Sequence, residues 1–173
     1  TKEILGDIYY NGYGVKEDVE KAFKYYDNIA YNNEKICKLL ADSYYYGRKV
    51  KKDLKKAYDY YSKLAKNNNI DAIERCIEYC KENNSYSLYG YYKQLITLTN
   101  NLKAKIYVAT ARFIHNTYPK DNIEYTFNLL KELEPLDNNE VLYSLGVIYY
   151  DGLLGKSNLN LAFDYFKKAQ KLG

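Results

Sequence analysis

The chain has 173 residues, with 26 Lys and Arg against 22 Asp and Glu, 24 tyrosines, and no Met or Trp. A net charge of +4 made of mixed signs is not typical of a nucleic-acid-binding tail, and no apolar stretch reaches the ~18 residues of a membrane span. Because the sequence starts at Thr1 and lacks Met, we expect a processed form or a piece of a longer protein. The localisation stays open for the same reason: the cytoplasm is favoured, but a secretory signal could have been removed.

Residues 40–68 repeat the pattern of residues 5–33 without a gap, with 15 identities in 29 positions. The identical pairs include Asp7 and Asp42, which lie 35 residues apart. A self-match at a fixed period of this length is the signature of a repeat protein, so it decides the predicted architecture before any single motif does.

Each copy is predicted to be a helix, a loop of about six residues and a second helix. In the first copy, apolar residues recur at helical spacing up to Asn11, and Gly12 then ends the helix because Gly adopts a positive φ without steric cost. Asp18 is a good N-cap for the second helix. The apolar stripe of that helix consists of Val19, Ala22, Phe23, Tyr26, Ile29 and Ala30. Neither helix can bury its stripe alone, so the pairs are expected to stack.

Three further copies follow the first two. The third is degenerate, because its loop (83–87) is shorter and Gly90 lies inside its second helix, where Gly costs about 1 kcal/mol relative to Ala. Three residues could cap this second helix: Asn84, Ser85 or Ser87. The fourth copy keeps the spacing with diverged residues, including Asn116 where the second has Gly47, and the fifth matches the first at an offset of 140. The predicted copies are 1–34, 35–69, 70–101, 102–137 and 138–173.

These signals predict one continuous all-α domain, an α/α superhelix (solenoid) of five antiparallel helix pairs whose third pair is degenerate. Leu40 lies on a predicted apolar stripe and is expected to be buried, as are the tyrosines Tyr9, Tyr44 and Tyr149. Small residues recur at matching places in both helices, for example Gly6, Gly146 and Ala22, which would let the paired helices approach closely.

Two segments resemble a known repeat family. They are LGDIYYNGYGVKEDVEKAFKYYDNIA (5–30) and LGVIYYDGLLGKSNLNLAFDYFKKA (145–169), and they resemble Sel1-like repeats (SLR), relatives of the tetratricopeptide repeat. Copies one and five fit well, copy two nearly as well, copy four loosely and copy three poorly. The resemblance implies a right-handed α-superhelix that serves as an adaptor for protein–protein contacts.

The resemblance further implies that the first helix of each pair lines a concave groove. By helical period, the groove positions that would bind a partner are Asp7, Tyr10, Lys38, Asp42, Tyr45, Tyr46, Glu74, Glu78, Tyr107, Tyr143 and Tyr150. We expect an unidentified protein or peptide partner with basic residues facing Asp7, Asp42 and Glu78. The alternative is that these carboxylates belong to an ordinary solvated helix face. No cofactor or metal is expected.

Three other functions are alternatives to a binding scaffold. An enzyme would need converging catalytic groups, and the only option is a thiol-dependent hydrolase pairing His115 with Cys76 or Cys80. With Cys37, these cysteines are more typical of small buried apolar residues than of a metal site, which would need two further ligands. An RNA-binding helical repeat has a similar period, but the groove positions are acidic in three of the five copies.

The third alternative is end-to-end self-association. Apolar residues occupy both predicted ends of the array, with Ile4 and Leu5 at the start and Phe163 and Phe166 at the end. These residues could stack on a neighbouring copy.

Overall fold

All the regular structure in the part of the chain that the computed structural model describes, residues 1–114 and 122–173, is helical. This confirms the predicted all-α repeat architecture. The described residues form two compact units, 1–85 and 86–173. The division falls within the third copy, whose predicted first helix belongs to the first unit and whose second helix belongs to the second.

The first unit contains five helices. They are α1 (Lys2–Asn11), α2 (Val19–Ala30), α3 (Glu34–Tyr46), α4 (Leu54–Lys66) and α5 (Ile70–Glu82). Helices α1 and α2 pack as one pair and α3 and α4 as the next, while α2 contacts α3 and α4 contacts α5. Each pair therefore covers the apolar face of its neighbour, as stacking repeats must.

The described residues of the second unit also form five helices. Its helices are α6 (Ser87–Thr99), α7 (Leu102–Ile114), α8 (Ile123–Leu133) with a 3₁₀ turn (Glu134–Leu136), α9 (Asn139–Asp151) and α10 (Leu159–Leu172). Helix α6 packs on α7, and α8 lies against both α7 and α9. The pair α9–α10 corresponds to α1–α2 of the first unit.

Capping residues set the helix starts as the sequence predicts. Asp18 and Asp53 accept hydrogen bonds from the backbone N–H groups of Lys21 and Lys56 at 2.9 and 3.0 Å. The first helices of the copies also have asparagine caps that the sequence analysis did not identify. They are Asn33, Asn69, Asn101 and Asn138. At α6 the N-cap position is Tyr86, which makes no side-chain capping bond, so none of the three predicted candidates occupies it.

The close approach of paired helices explains the small residues. A Cβ atom at Gly6 would lie 2.3 Å from the Tyr26 ring, and one at Gly146 would lie 2.6 Å from the Phe166 ring. Gly12, by contrast, is required by its backbone, since its φ of 70° ends α1 in the left-handed region.

Burial agrees with most of the predicted core. Leu40 is fully buried, and Cys37, Cys76 and Cys80 are buried as expected of small apolar residues. Tyr9, Tyr44 and Tyr149 are half-buried, because each lies at a surface edge where its ring stacks on another tyrosine. No helix in residues 1–114 or 122–173 is long and apolar enough to cross a bilayer.

Candidate partner-binding surface

The second copy holds the largest group of predicted binding residues, and α3 positions them. Asn33 caps the start of α3, and Gly47, with φ 69°, ends it. Leu40 and Ala41 face the core, whereas Lys38 and Tyr46 are exposed. Helical geometry therefore separates a buried stripe from a solvent-facing one, as the sequence pattern indicates.

Asp42 and Asp7 are not simply solvated carboxylates. The Tyr61 hydroxyl donates a hydrogen bond of 2.6 Å to Oδ1 of Asp42, and Tyr26 makes the same bond to Asp7. Each bond joins the second helix of a pair to its first helix. The two acids thus stabilise the repeat, which is a role the sequence analysis did not assign to them.

Tyr45 and Glu78 lie together at the contact between α3 and α5. The Tyr45 hydroxyl donates to Oε2 of Glu78 at 3.1 Å. Arg75 completes the group, since its Nη1 donates to the Tyr45 oxygen at 3.0 Å and to the same Glu78 oxygen at 2.9 Å. Burial, followed by the bond to Glu78, raises the pKa of Tyr45, so its hydroxyl stays protonated and remains a donor.

A small cavity of about 200 Å³ opens beside this network. Four tyrosines contribute to its wall: Tyr45, Tyr58, Tyr61 and Tyr79. Tyr58 stacks on Tyr79 with ring centroids 4.4 Å apart, and Tyr45 meets Tyr61 edge-on at 6.0 Å. Sequence reasoning missed Arg75, Tyr58 and Tyr79 because they fall outside the groove register of a single helix.

Polar contacts also reach a first helix from the neighbouring copy elsewhere in this unit. Lys38 of α3 lies 3.5 Å from Asp71 of α5. The Lys49 ammonium donates to the Tyr10 carbonyl at 2.8 Å and lies over the Tyr10 ring. Glu74 is exposed on α5.

We call the surface formed by α1, α3 and α5 the first-helix surface. Of the predicted residues it carries Asp7, Tyr10, Lys38, Asp42, Tyr45, Tyr46, Glu74 and Glu78.

The remaining predicted residues belong to the second unit. Tyr107 of α7 packs on Tyr92, with ring centroids 4.3 Å apart. Tyr143 and Tyr150 of α9 are exposed, and both rings lie near Phe166 of α10. The Tyr107 contact and the Tyr143–Phe166–Tyr150 cluster are two different contacts, and the binding role predicted for these three tyrosines stays a prediction.

Cys37, Cys76 and Cys80 are free thiols, and all three are buried. Burial raises the pKa of Cys37 and of Cys80, which disfavours the thiolate that a nucleophile or metal ligand needs. No group of three metal-ligating side chains occurs in the described residues. His115, the suggested imidazole partner, lies outside them, as does Asn116.

Comparison with known proteins places this architecture in a family. The model of the Sel1 repeat matches residues 4–33, 37–69 and 140–173, which together exceed half of the chain. The chain belongs to the Sel1 repeat family. The three matched segments are copies one, two and five, the same copies that the sequence analysis found to fit best, while copies three and four are the diverged ones.

Solved structures of Sel1 repeat proteins share the fold. A protective antigen present in uropathogenic Escherichia coli strains, displaying an SLR fold, aligns with a TM-score of 0.52 at 20% sequence identity. A Sel1 repeat protein from Oxalobacter formigenes aligns with a TM-score of 0.50 at 17% identity. The alignments cover 99% and 97% of this chain but 38% and 50% of those proteins, so the chain spans half or less of their length. Among curated proteins, none matches the sequence.

Proposed function

We propose that this Sel1 repeat chain is a non-catalytic scaffold that binds a partner protein or peptide across the first-helix surface of residues 1–85. The observation that carries the proposal is the Arg75–Tyr45–Glu78 network beside the tyrosine-lined cavity. Its bonds hold the Tyr45 side chain in place before binding, so this side chain loses less conformational entropy when a partner packs on it.

The chemistry of the surface favours a partner with basic residues. Glu74 and Glu78 are exposed on α5, and Asp71 lies one turn before Glu74. Asp42 and Asp7 contribute less than the sequence suggests, because one oxygen of each already accepts a tyrosine hydroxyl. Glu78 is likewise engaged, since it accepts a hydrogen bond from Tyr45 and pairs with Arg75. We therefore place the basic group of the partner opposite Glu74, with an apolar or aromatic side chain in the cavity beside Tyr45.

Selection from a displayed random-peptide library tests this proposal. The wild-type chain should enrich peptides that combine Lys or Arg with an apolar residue, and Tyr45→Ala and Glu74→Lys should each abolish that enrichment. Glu20→Lys is the matched control, since it makes the same charge change at an exposed site on a second helix, α2. If the wild type and both surface variants enrich the same peptides, the first-helix surface is not the binding site.

Two other activities have weaker support. An RNA-binding repeat needs a basic surface, whereas α5 presents Asp71, Glu74 and Glu78. A salt-dependent mobility shift of single-stranded RNA would reverse this preference. A thiol-dependent hydrolase is disfavoured by the buried thiols of Cys37 and Cys80, and thiol-dependent turnover of generic esters would restore it.

A further inference from the structure

A groove of about 860 Å³ lies between α2 and the segment that joins α3 to α4, within the first unit. Five lysines from three elements line it, and we call it the lysine groove. Lys24 comes from α2, Lys56 from α4, and Lys49, Lys51 and Lys52 from the loop between α3 and α4. The fold therefore gathers positive charge from separate parts of the chain into one concave surface, which concentrates its attraction for an anion.

Most of these lysines have no ionic partner in the fold, although all five are exposed. In the part of the chain that the structure describes, Lys49 is the one groove lysine that forms an ion pair, with Oε1 of Glu17 at 3.3 Å. Lys24 and Lys51 pair with no described carboxylate. Their ammonium groups therefore keep their hydrogen-bond donors for an anionic ligand.

Three carboxylates also line the lysine groove, and two of them already serve the fold. Asp27 accepts a hydrogen bond of 2.8 Å from the Tyr60 hydroxyl, and Asp53 caps α4. The third, Glu20, is exposed. Five lysines against three carboxylates leave a modest excess of positive charge. A groove with this mixture suits a ligand whose negative charges are spaced apart, whereas the continuous row of phosphates in a nucleic acid would meet the carboxylates as well.

The floor of the lysine groove is apolar and aromatic. Phe23 is buried there, and Val19 and Val50 are half-buried. Tyr44 and Tyr60 stack with ring centroids 6.0 Å apart and an interplanar angle of 4°, so they form a flat part of the wall. An apolar centre with a charged rim is the usual composition of a peptide-binding surface.

The repeat itself does not require these lysines. The equivalent junction of the second unit lies between α8 and the loop after α9, and that loop has the same length as the loop after α3. One of its five corresponding positions is a lysine. The residues there are Asn128, Leu154, Lys156, Ser157 and Leu161. Since helix pairs stack without the other four, the lysine groove is a property of this junction and not of the fold.

We propose that the lysine groove binds an acidic segment of a partner protein. Carboxylates of the segment pair with Lys24 and Lys51 across the groove, and an apolar side chain between them packs on Phe23 and Val50. None of the groove lysines belongs to α1, α3 or α5, so this is a second binding surface with the opposite charge preference to the first-helix surface. Because its charges are exposed, binding is expected to weaken as salt is added.

The displayed random-peptide library tests this proposal, because the two surfaces should enrich different peptides. The wild type should enrich a second class, in which Asp or Glu residues flank an apolar residue. Lys24→Glu combined with Lys51→Glu should lose this acidic class and keep the basic one. Fluorescence anisotropy with a selected acidic peptide should show affinity weakened about tenfold by the two charge reversals. Glu74→Lys should lose the basic class and keep the acidic one.

Lys16→Glu combined with Lys55→Glu is the matched control. Lys16 occupies in the first copy the position that Lys51 occupies in the second, and Lys55 is exposed on α4. Neither lines the lysine groove. Both double variants have the same net charge, since each exchanges two lysines for two glutamates. The control should therefore retain the acidic peptides, and an equal loss in both variants would assign binding to net charge and overturn the proposal.

Other results would also overturn it. One is a wild-type chain that enriches no acidic class, and another is an acidic class that persists when Lys24 and Lys51 are both reversed. A third is single-stranded RNA that binds more tightly than the selected peptide and loses its binding in the same double variant, which would make a nucleic acid the ligand. Circular dichroism should show unchanged helix content in both double variants, because all four substituted lysines are exposed.

Discussion

The hydroxyl of Tyr61 donates a 2.6 Å hydrogen bond to the carboxylate of Asp42, and this pair is replaced as a unit in another copy. The corresponding positions of the fifth copy hold Phe166 and Val147, which carry neither the hydroxyl nor the acid. The donor and the acceptor are thus present together or absent together. This is expected if leaving either one unpaired in a partly buried place costs free energy.

Removing both members of the pair should therefore cost less than the sum of the two single removals. Tyr61→Phe and Asp42→Val should each lower the free energy of unfolding by about 1 kcal/mol, because each leaves a polar group without its partner. The double variant, which copies the fifth repeat, should lose less than the sum of the two. Urea denaturation of the four proteins gives the coupling energy.

The pair Tyr60–Asp27, with a bond of 2.8 Å to an exposed carboxylate, is the control for this cycle. Water competes for an exposed hydrogen bond, so Tyr60→Phe with Asp27→Ala should give a smaller coupling energy. A coupling energy near zero for Tyr61 and Asp42 would show that their bond does not stabilise the repeat.

The same hydrogen bonds predict a loss of stability at alkaline pH. Burial, followed by the bond to a carboxylate, raises the pKa of Tyr26 and of Tyr61 well above the value of about 10 for an unfolded tyrosine. Above pH ~10 the unfolded chain releases these protons and the folded chain retains them, so the free energy of unfolding falls as pH rises. Below pH ~10 both the folded and the unfolded chain keep these protons, so the two tyrosines contribute fully to the free energy of unfolding.

Urea midpoints measured from about pH 8 to pH 11 check this pH dependence. Tyr61→Phe should make the decline shallower, because one of the retained protons is gone. Tyr13→Phe, at an exposed loop position, should leave the slope unchanged. If the urea midpoint falls equally steeply with pH in the wild type and in Tyr61→Phe, the raised pKa of Tyr61 is not the cause of the decline.

Two glycines should respond in opposite directions to substitution by alanine. At Gly6 a Cβ atom would meet the buried Tyr26 ring at 2.3 Å, so Gly6→Ala should destabilise the chain by about 1–3 kcal/mol through overpacking. At Gly90 no atom lies within 4 Å of the added carbon, so Gly90→Ala should stabilise α6 by up to about 1 kcal/mol. Thermal unfolding of both variants measures the two effects. A Gly6→Ala variant that is more stable than the wild type would mean that α1 and α2 can move apart at little cost.

Leucines at one repeat position should differ according to their burial. Leu40→Ala should cost about 2–5 kcal/mol, because Leu40 is fully buried. Leu5→Ala removes the same side chain at the same position of the first copy, where it is partly exposed, and should cost clearly less. Urea denaturation of both variants measures the two costs. Equal costs would contradict the expectation that burial decides what a leucine contributes at this position.

The sequence predicted the helices well because their signals are local. Asp18 and Asp53 act within three residues of their own position, and Gly12 ends α1 through its own φ angle. A cap or a helix end requires no knowledge of the rest of the fold. The period of 35 residues can also be identified without knowledge of the fold. It indicates that the repeats stack, but it does not show which residues each face contacts.

The candidate surface could be predicted only in part, because its bonds connect distant residues. Helical period assigned Asp42 to a solvent-facing stripe, but its partner Tyr61 lies 19 residues away on another helix. Tyr45 reaches Glu78 and Arg75 across 33 and 30 residues. The sequence did contain a signal for the bond between Tyr61 and Asp42. In the fifth copy both positions change together, to Phe166 and Val147, and a pairwise comparison of the copies would have found this joint change.

The sequence by itself therefore determined the repeat, the helix boundaries and the family, since these depend on short-range chemistry repeated along the chain. The tertiary structure alone decided which of the predicted binding residues bond to a neighbouring helix and which stay exposed. Asp7 and Asp42 belong to the first kind, and Glu74 and Tyr46 to the second. The physical reason is that a side chain's role depends on which atoms of other helices come within hydrogen-bonding distance, and one-dimensional spacing does not contain that distance.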